Sequence, residues 1–305
     1  MFPGLLAFMT GCLLLNISGK ADPIEYSQVS VDNKPAIAGE LHVHRFTSRI
    51  FDNTRSIRVL LPPGYAESPE DRRYPVLYLN DGQNLFDTAT SIFNSLEWEV
   101  DEAVDALTRQ GGIPQLIVVG IDNPGKRLKP KEYLPYEDRY LSPPEPFPEG
   151  GKYPGFLVDE VMPFVNARYR TSTDPGKTGI GGSSYGAVAA LYAAIARPGV
   201  FGRLLLESPS LYISEGRLLE DCRRNDRWPY RVYVGVGTNE EGHQECDPGD
   251  LSGEAVQDVL KLRSILEDAG LGENRLLVKI EECARHDEAA WARRFPGALE
   301  FLYGE

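Results

Sequence analysis

The segment 182–186, with the sequence Gly-Ser-Ser-Tyr-Gly, constrains the fold of this chain more than any other stretch. It matches G-x-S-x-G, in which a serine stands on a sharp turn between a β-strand and an α-helix. Residues 177–181 are short and apolar enough for a buried strand, and 187–196 form an alanine-rich run that ends at Pro198-Gly199, a typical helix stop. The glycines two residues before and after the serine let strand and helix pass closely. The pattern therefore predicts a strained turn that presents Ser184 as a nucleophile.

A serine hydroxyl needs a neighbouring base to become an effective nucleophile, and the chain holds four histidines. His42 and His44 lie upstream, on the polar face of an alternating strand pattern, and are interpreted as solvated surface residues. His243 lies in a polar loop. His286 follows the apolar strand 276–280 and precedes the last helix, where the base of a serine–acid–histidine chain order belongs. His286 is therefore the predicted base.

The acid that orients the imidazole should leave the end of the strand between the serine and the histidine. Residues 230–237 form that strand, and the loop after it opens with Thr-Asn-Glu-Glu. Glu240 is predicted to hold the imidazole tautomer and to stabilise the imidazolium. Glu241 and Asp247 are the alternatives.

Two backbone N–H groups should stabilise the oxyanion that forms during acyl transfer. The first is that of Tyr185, directly after the nucleophile. The second should come from the loop after the strand 76–79. In that loop Gly82 would permit an unusual turn that directs the N–H of Gln83 into the site.

With these residues in place, the chain resembles the putative-esterase family of α/β-hydrolases. That family includes enterochelin-esterase-like enzymes and feruloyl and acetylxylan carbohydrate esterases. The resemblance runs from about residue 40 to the end of the chain. The matching stretches are 60–65, 74–86, 118–123, 182–186, 207–211, 236–240 and 286–291.

The resemblance implies an α/β-hydrolase fold, with a mostly parallel central sheet and helices on both faces. It implies the same roles for Ser184, Glu240, His286, Gln83 and Tyr185, with no metal and no organic cofactor. Many relatives carry a small residue or Met after the serine, where this chain has tyrosine. That side chain would narrow the cleft, contact an aromatic or sugar group, or pack in the core.

The expected activity is hydrolysis of carboxylic esters in a small molecule or an oligosaccharide: acylated sugars, hydroxycinnamoyl esters or a siderophore lactone. The alternatives are acyl transfer by the same residues and a catalytically inactive binding protein of the same fold. The net charge of −13 argues against nucleic acid and anionic membranes as partners, because phosphates would be repelled. It also disfavours polyanionic substrates unless a local basic pocket overrides it. Oligomeric state is left open.

The apolar run 4–15, followed by a small-x-small site at 19–21, predicts a secretory signal peptide over residues 1–21, although no basic residue precedes it. An extension then covers 22–39 and the catalytic domain covers 40–305. The protein would be exported to the periplasm or the exterior, or cytoplasmic if the run is not a signal. Cys12 is a candidate for lipid attachment, and the run is shorter than a typical membrane span.

Export would allow a disulfide between Cys246 and Cys283, which would connect the acid loop to the histidine loop. The alternative is two buried free thiols. The spacing of the cysteines indicates no zinc site. The two carboxylates in the turn 247–250 are too few for calcium.

The segment 124–154 is so rich in proline that regular helix and strand are not expected in it. It should leave a strand ending at Ile121, at the sheet edge where ligands bind. Long loops of this kind often serve function, so we expect a substrate-binding loop. Arg127, Tyr133 and Tyr136 are candidates for substrate contacts.

Overall fold

The computed structural model of the chain describes residues 24–25, 37–92, 96–139, 141 and 144–304. Over these residues the strands form one sheet with helices packed on both of its faces. The strands are β1 (Ile24–Glu25), β2 (Glu40–Ser48), β3 (Asn53–Leu61), β4 (Val76–Asn80), β5 (Ile117–Ile121), β6 (Thr178–Ser183), β7 (Arg203–Glu207), β8 (Arg231–Gly237) and β9 (Leu276–Glu281). The helices are α1 (Val100–Gln110), α2 (Lys129–Tyr133), α3 (Tyr153–Gly155), α4 (Met162–Asn166), α5 (Tyr185–Ala196), α6 (Arg217–Arg224), α7 (Glu254–Asp268) and α8 (Glu288–Tyr303), with a π-helical stretch, Phe156–Val161, between α3 and α4.

The strands lie in the order β1-β2-β3-β5-β4-β6-β7-β8-β9. The first three strands pair antiparallel, and β3 also runs antiparallel to β5. The pairings from β5 across to β9 are parallel. This topology confirms the predicted α/β-hydrolase fold, in which the first strands depart from the parallel direction.

Two apolar cores lie on opposite faces of the sheet, because successive side chains of a strand point to opposite sides. In β4, Val76 and Tyr78 face the core that the helices from α3 to α7 cover. Leu77 and Leu79 face the other core, which α1 and α8 cover. All four side chains are at most 1% exposed, as expected for a parallel strand buried on both faces.

The carboxyl ends of the parallel strands meet at one edge of the sheet, where ligands bind in open α/β sheets. The loops at this edge carry Ser184 after β6, Ser208 after β7, Glu240 after β8 and His286 after β9. The turn after β4 contributes Gln83. The fold therefore brings the candidate residues of five separate loops to the same edge.

The proline-rich segment 124–154 is more regular than predicted. It contains α2 and a 3₁₀ turn, Gly150–Lys152, and it places Tyr133 and Leu134 in the core with no exposed surface. Proline fits the first turn of a helix, where its missing N–H would have no partner, and Pro130 occupies such a position in α2.

The interpretation of His42 and His44 as solvated residues is wrong for His44, which is 7% exposed. Its Nε2 lies 2.5 Å from the hydroxyl oxygen of Tyr169, and its ring packs edge-on against Phe164 at 5.3 Å between centroids. The Nδ1 of His42 lies 2.9 Å from the same hydroxyl. Burial, followed by the nearby charges of Arg168 and His42, lowers the pKa of His44 to about 4.

The predicted signal peptide 1–21, with Cys12 in it, and most of the extension 22–39 lie outside the described residues. Among the residues that are described, no helix has both the length and the apolar character to cross a bilayer.

Candidate active site

Ser184 stands on a sharp turn between β6 and α5, with φ 54° and ψ −125°. The glycines around it are required by close approach. A Cβ on Gly182 would lie 2.8 Å from the backbone of Gly186, and a Cβ on Gly186 would lie 2.8 Å from the carboxylate of Asp81. The N–H of Ser184 donates to the carbonyl oxygen of Glu207 at 3.0 Å, which fixes the turn against β7.

His286 and Glu240 form a close pair, with 2.6 Å between His286 Nδ1 and Glu240 Oε2. The other carboxylate oxygen accepts hydrogen bonds from the N–H of Gly237 at 2.6 Å and from the hydroxyl of Ser208 at 2.8 Å. Burial raises the pKa of Glu240, but the hydrogen bond and charge of His286, with the bonds from Gly237 and Ser208, outweigh burial and set the pKa below its ordinary value. Glu240 is therefore an ionised carboxylate at neutral pH.

A buried network of polar side chains holds the Glu240 carboxylate in position through Ser208. This network was not predicted from the sequence. Ser208 Oγ accepts from the indole N–H of Trp291 at 2.9 Å and lies 3.3 Å from Arg294 Nη2. Arg294 forms a buried ion pair with Glu207 at 2.7 Å. The indole of Trp291 also packs edge-on against His286, at 5.2 Å between centroids. The spacing of Trp291 and Arg294 on one face of α8 was the signal in the sequence that could have revealed it.

A disulfide joins Cys246 to Cys283, so the pairing left open in the sequence is formed. Thr238 Oγ1 also accepts from the N–H of Cys283 at 2.8 Å, and the N–H of Asn239 donates to the carbonyl oxygen of Ala284 at 3.0 Å. The loop that carries Glu240 and the loop that carries His286 are therefore connected covalently and by hydrogen bonds.

A pocket of about 470 Å³, here called the Ser184 pocket, contains these groups. Ser184 Oγ lies 3.3 Å from Ser210 Oγ at its floor. The described residues that line it are Ser184, Tyr185, Ser208, Pro209, Ser210, Tyr212, Glu240, Glu241, Glu254, Ala255 and His286. The tyrosine after the nucleophile is a lining residue and also packs partly against the core, so it combines two of the roles considered for it.

The alternatives to Glu240 and His286 lie elsewhere in the same loop. Glu241 is exposed and pairs with the exposed His243 at 2.7 Å. Asp247 Oδ1 accepts from the N–H of Gly249 at 3.1 Å, within a turn.

In the turn after β4, the residue with a strained backbone is Asp81 and not the predicted Gly82. Asp81 holds the left-handed conformation, with φ 59°, and its carboxylate accepts hydrogen bonds from Asn123 at 2.6 Å and Lys129 at 2.9 Å. Gly82 is needed instead for close approach, because a Cβ there would lie 2.6 Å from the backbone of Gly120. Gln83 follows Gly82 in a 3₁₀ turn, Gly82–Asn84. Its side-chain oxygen accepts a hydrogen bond from the N–H of Asn123 at 3.1 Å.

The N–H groups of Gln83 and Tyr185 share one property. Each belongs to the first turn of a helical element, where backbone N–H groups have no intrahelical acceptor. Each can therefore donate to an oxyanion without breaking a helical hydrogen bond.

Arg127, Tyr133 and Tyr136 do not line the Ser184 pocket. The prediction for Tyr133 is wrong: the side chain is fully buried against Tyr153, and its hydroxyl lies 3.4 Å from the N–H of Asp81. Tyr136 donates a hydrogen bond to Asp221, and Arg127 is exposed.

No group of three or more histidine, cysteine, aspartate or glutamate side chains with the arrangement of a metal site occurs within the described residues. The turn 247–250 is a simple turn, with the N–H of Asp250 donating to the carbonyl oxygen of Asp247 at 3.0 Å.

Known proteins resemble this chain over most of its length. It is 24% identical to the uncharacterized protein YbbA of Bacillus subtilis over 271 residues, which cover 88% of this chain and 97% of that protein. It is 29% identical to the iron(III) enterobactin esterase of Dickeya dadantii over 68% of this chain, but that match covers only 42% of the relative. An IroE-like serine hydrolase from Shewanella oneidensis shares the fold, with a TM-score of 0.65 and 22% identity over 85% of this chain and 79% of that one.

The family model described as "Putative esterase" matches residues 48–302, which include every strand from β3 onward and all the candidate site residues. The relatives and the shared fold agree with that match. The chain belongs to the putative-esterase family of α/β-hydrolases, and its reaction class is the hydrolysis of carboxylic esters.

Proposed function

We propose that this protein is a serine carboxylesterase that forms an acyl-enzyme on Ser184. The observation that carries the proposal is that the strained Ser184 and the His286–Glu240 pair, with 2.6 Å between the two side chains, line one pocket. A serine made accessible by its turn, a histidine base and an ionised carboxylate behind it are the three parts that nucleophilic acyl transfer requires. The membership of the esterase family supports the same chemistry.

In the proposed mechanism, Ser184 Oγ attacks the ester carbonyl carbon while His286 Nε2 accepts its proton. Glu240 accepts the hydrogen bond from Nδ1–H, which fixes the tautomer and stabilises the imidazolium. The N–H groups of Tyr185 and Gln83 donate to the oxyanion. His286 then protonates the leaving alcohol. Finally, His286 deprotonates a water that attacks the acyl carbon, and the acid is released with Ser184 restored.

The substrate classes expected from the sequence remain acylated sugars, hydroxycinnamoyl esters and a siderophore lactone. The name of the Dickeya dadantii relative, an iron(III) enterobactin esterase, favours the siderophore lactone. Tyr185 and Tyr212 border the pocket and are partly exposed, so their rings offer apolar faces to an aromatic acyl group or a sugar. Glu241 and Glu254 line the same pocket and disfavour an acyl group that carries a negative charge near them.

The test is hydrolysis of p-nitrophenyl esters from acetate to octanoate, and of a feruloyl ester and a catecholoyl-serine lactone, by the wild type and by Ser184→Ala. We expect the variant to lose at least about a thousandfold in kcat, and the ranking of the esters to identify the acyl class. Equal hydrolysis by both proteins would refute the proposal. Adding an alcohol acceptor and analysing products separates hydrolysis from acyl transfer.

We also propose that the protein is exported. The disulfide between Cys246 and Cys283 supports this, since disulfides persist in oxidising compartments and are rare in the cytosol. Sequencing the N-terminus of the protein recovered from its natural host tests the idea. A mature terminus near residue 22 is expected, and full-length protein in the cytosol would contradict it.

A further inference from the structure

A second cavity, here called the basic cavity, lies at the opposite edge of the sheet from Ser184. It has a volume of about 450 Å³. Its walls come from the residues where β4, β6, β7 and β8 begin, and from the carboxyl end of α8. The amino ends of the parallel strands meet at this edge. The cavity is therefore separated from the Ser184 pocket by the length of the strands. It has the size of an ordinary small-molecule site.

Among the residues that the structure describes, five cationic side chains and no acidic side chain line this cavity. They are Arg72, Arg73, Lys177, Arg203 and Arg231. None of the five takes part in an ion pair within the part of the chain that the structure describes. This is a strong local excess of positive charge, because the whole chain has 45 acidic and 32 basic residues and a net charge of −13.

Arginines elsewhere in the protein show the contrast. Arg55 pairs with Glu132 at 2.5 Å, Arg58 pairs with Asp122 at 2.7 Å, and Arg294 is paired as described above. Partly buried guanidinium groups are normally compensated in this way, because an unpaired buried charge is costly. Arg203 and Arg231 are also partly buried, but no carboxylate in the described part of the protein pairs with either of them.

The two arginines at the back of the cavity are held in place by the end of α8. Arg203 donates to the carbonyl oxygen of Leu302 and lies over the ring of Tyr303, at 4.7 Å from its centroid. Arg231 donates to the carbonyl oxygens of Phe301 and Gly304, each at 2.8 Å. Carbonyl groups orient a guanidinium but do not neutralise it, so both groups are fixed and keep their charge.

Further N–H groups of these arginines lack any acceptor. The Nε atoms of Arg203 and Arg231 are buried and have no hydrogen-bond partner in the described part of the protein. Burial is the main cause that lowers the pKa of Arg203, Tyr303 opposes it by raising the pKa, and the charge of Arg231 lowers the pKa further. Two like charges at one cavity repel each other, and an anion bound beside both guanidinium groups would relieve that repulsion.

We propose that the basic cavity binds a small, multiply charged oxyanion, whose phosphoryl or carboxylate groups pair with Arg203 and Arg231. These two guanidinium groups present fixed donors to planar or tetrahedral oxyanions. Arg72, Arg73 and Lys177 are exposed at the mouth and add attraction without a fixed geometry. None of the described residues that line the cavity is a serine, cysteine or histidine, so the site binds its ligand without carrying out ester chemistry on it.

The site also touches the two elements that carry the predicted acid and base. Arg231 opens β8, which leads to Glu240, and Gly304 follows α8, which begins after His286. A ligand bound here contacts the far ends of both elements and stabilises the folded state in proportion to its occupancy.

The test uses calorimetric titration of the full chain with tripolyphosphate and, separately, with citrate at constant ionic strength. The variant Arg73→Gln/Lys177→Gln removes two cations at the mouth, and Arg45→Gln/Lys279→Gln removes the same charges from exposed positions elsewhere. We expect saturable binding to the wild type and to the control pair, and a loss of about tenfold in affinity for the cavity pair.

Tighter binding of tripolyphosphate would assign the cavity to phosphate compounds, and tighter binding of citrate would assign it to polycarboxylates. Absence of saturable binding by either anion would overturn the proposal. An equal loss in the cavity pair and the control pair would overturn it too, because it would show diffuse attraction instead of a site. Circular dichroism of both variants excludes unfolding as the cause, and esterase activity is not needed for any of these outcomes.

Discussion

At the scale of single residues, the candidate site depends on a backbone strain. Ser184 has a positive φ, which is rare for a residue with a side chain, and such strain costs about 1–3 kcal/mol. The hydrogen bond from its N–H to Glu207 and the contact between Gly182 and Gly186 hold the turn in that conformation. A larger residue in place of either glycine would therefore displace the backbone of the turn, and Ser184 would move with it.

The exchange Glu240→Gln tests the role of the carboxylate. The amide cannot stabilise the imidazolium of His286, and it can select the wrong tautomer, so kcat should fall on the order of 10³–10⁴ while KM changes little. Asp247→Asn is the matched control, since its carboxylate is exposed, does not line the Ser184 pocket and accepts a hydrogen bond within a turn of the same loop. Steady-state kinetics on both variants is the measurement, and equal activity of the two would contradict the assignment.

At the scale of structural elements, two loops form one unit. The loop between β8 and α7 and the loop between β9 and α8 are joined by the Cys246–Cys283 disulfide and by the hydrogen bonds of Thr238 and Asn239. Glu240 lies on the first loop and His286 on the second. The distance between their side chains therefore depends on the links that hold the two loops together. The rest of the site lies on turns that the sheet itself fixes.

Removing this disulfide should therefore affect both stability and catalysis. The bond closes a loop of 37 residues, so Cys246→Ser/Cys283→Ser should lower the free energy of unfolding by about 2–4 kcal/mol. We expect kcat to fall more than KM rises, because the loosened loops would hold the base and acid less accurately. Urea unfolding and kinetics with and without dithiothreitol measure this. If reductant changes the variant as much as the wild type, the effect does not come from the disulfide.

At the scale of the whole molecule, the acid stability depends on a buried histidine far from the site. His44 has a pKa of about 4 in the folded protein, against an ordinary value of 6.5. Between these values the unfolded chain binds a proton at this position that the folded chain does not bind. His44 therefore costs no stability above pH 6.5, and up to about 3 kcal/mol is lost progressively as the pH falls from 6.5 to 4.

The exchange His44→Gln should make the protein less sensitive to acid. Urea unfolding at pH 7.5 and pH 4.5 gives the loss of stability for the wild type, for His44→Gln and for the exposed control His243→Gln. The loss should be smaller by about 2 kcal/mol in His44→Gln and unchanged in the control. An equal loss in all three proteins would show that His44 is not the group that titrates.

The sequence was sufficient where local pattern or chain order decides the structure. The turn at Ser184 is encoded in five consecutive residues, and the strand order of the fold assigns His286 and Glu240 to their loops. Long-range contacts decided the rest. Tyr133 is buried because it packs on Tyr153 and under Asp81, and no local pattern in a proline-rich segment indicates either contact.

The same reason explains the basic cavity and the network under Glu240. The cavity brings together basic residues near positions 72, 177, 203 and 231. They are far apart in a strongly acidic sequence, so composition does not indicate a basic site. Ser208 and Arg294 meet across 86 residues of sequence. Each of these features depends on strand order and helix packing, which place distant residues side by side.

The most direct test of the central claim is covalent labelling with a fluorophosphonate, followed by mass spectrometry of the tryptic peptides. Cleavage after Arg203 separates Ser184 from Ser208 and Ser210, the other serine side chains in the pocket. We predict a single adduct on Ser184 in the wild type and in Ser210→Ala, and no adduct in Ser184→Ala. An adduct on Ser210, or equal labelling of Ser184→Ala, would contradict the claim that Ser184 is the nucleophile.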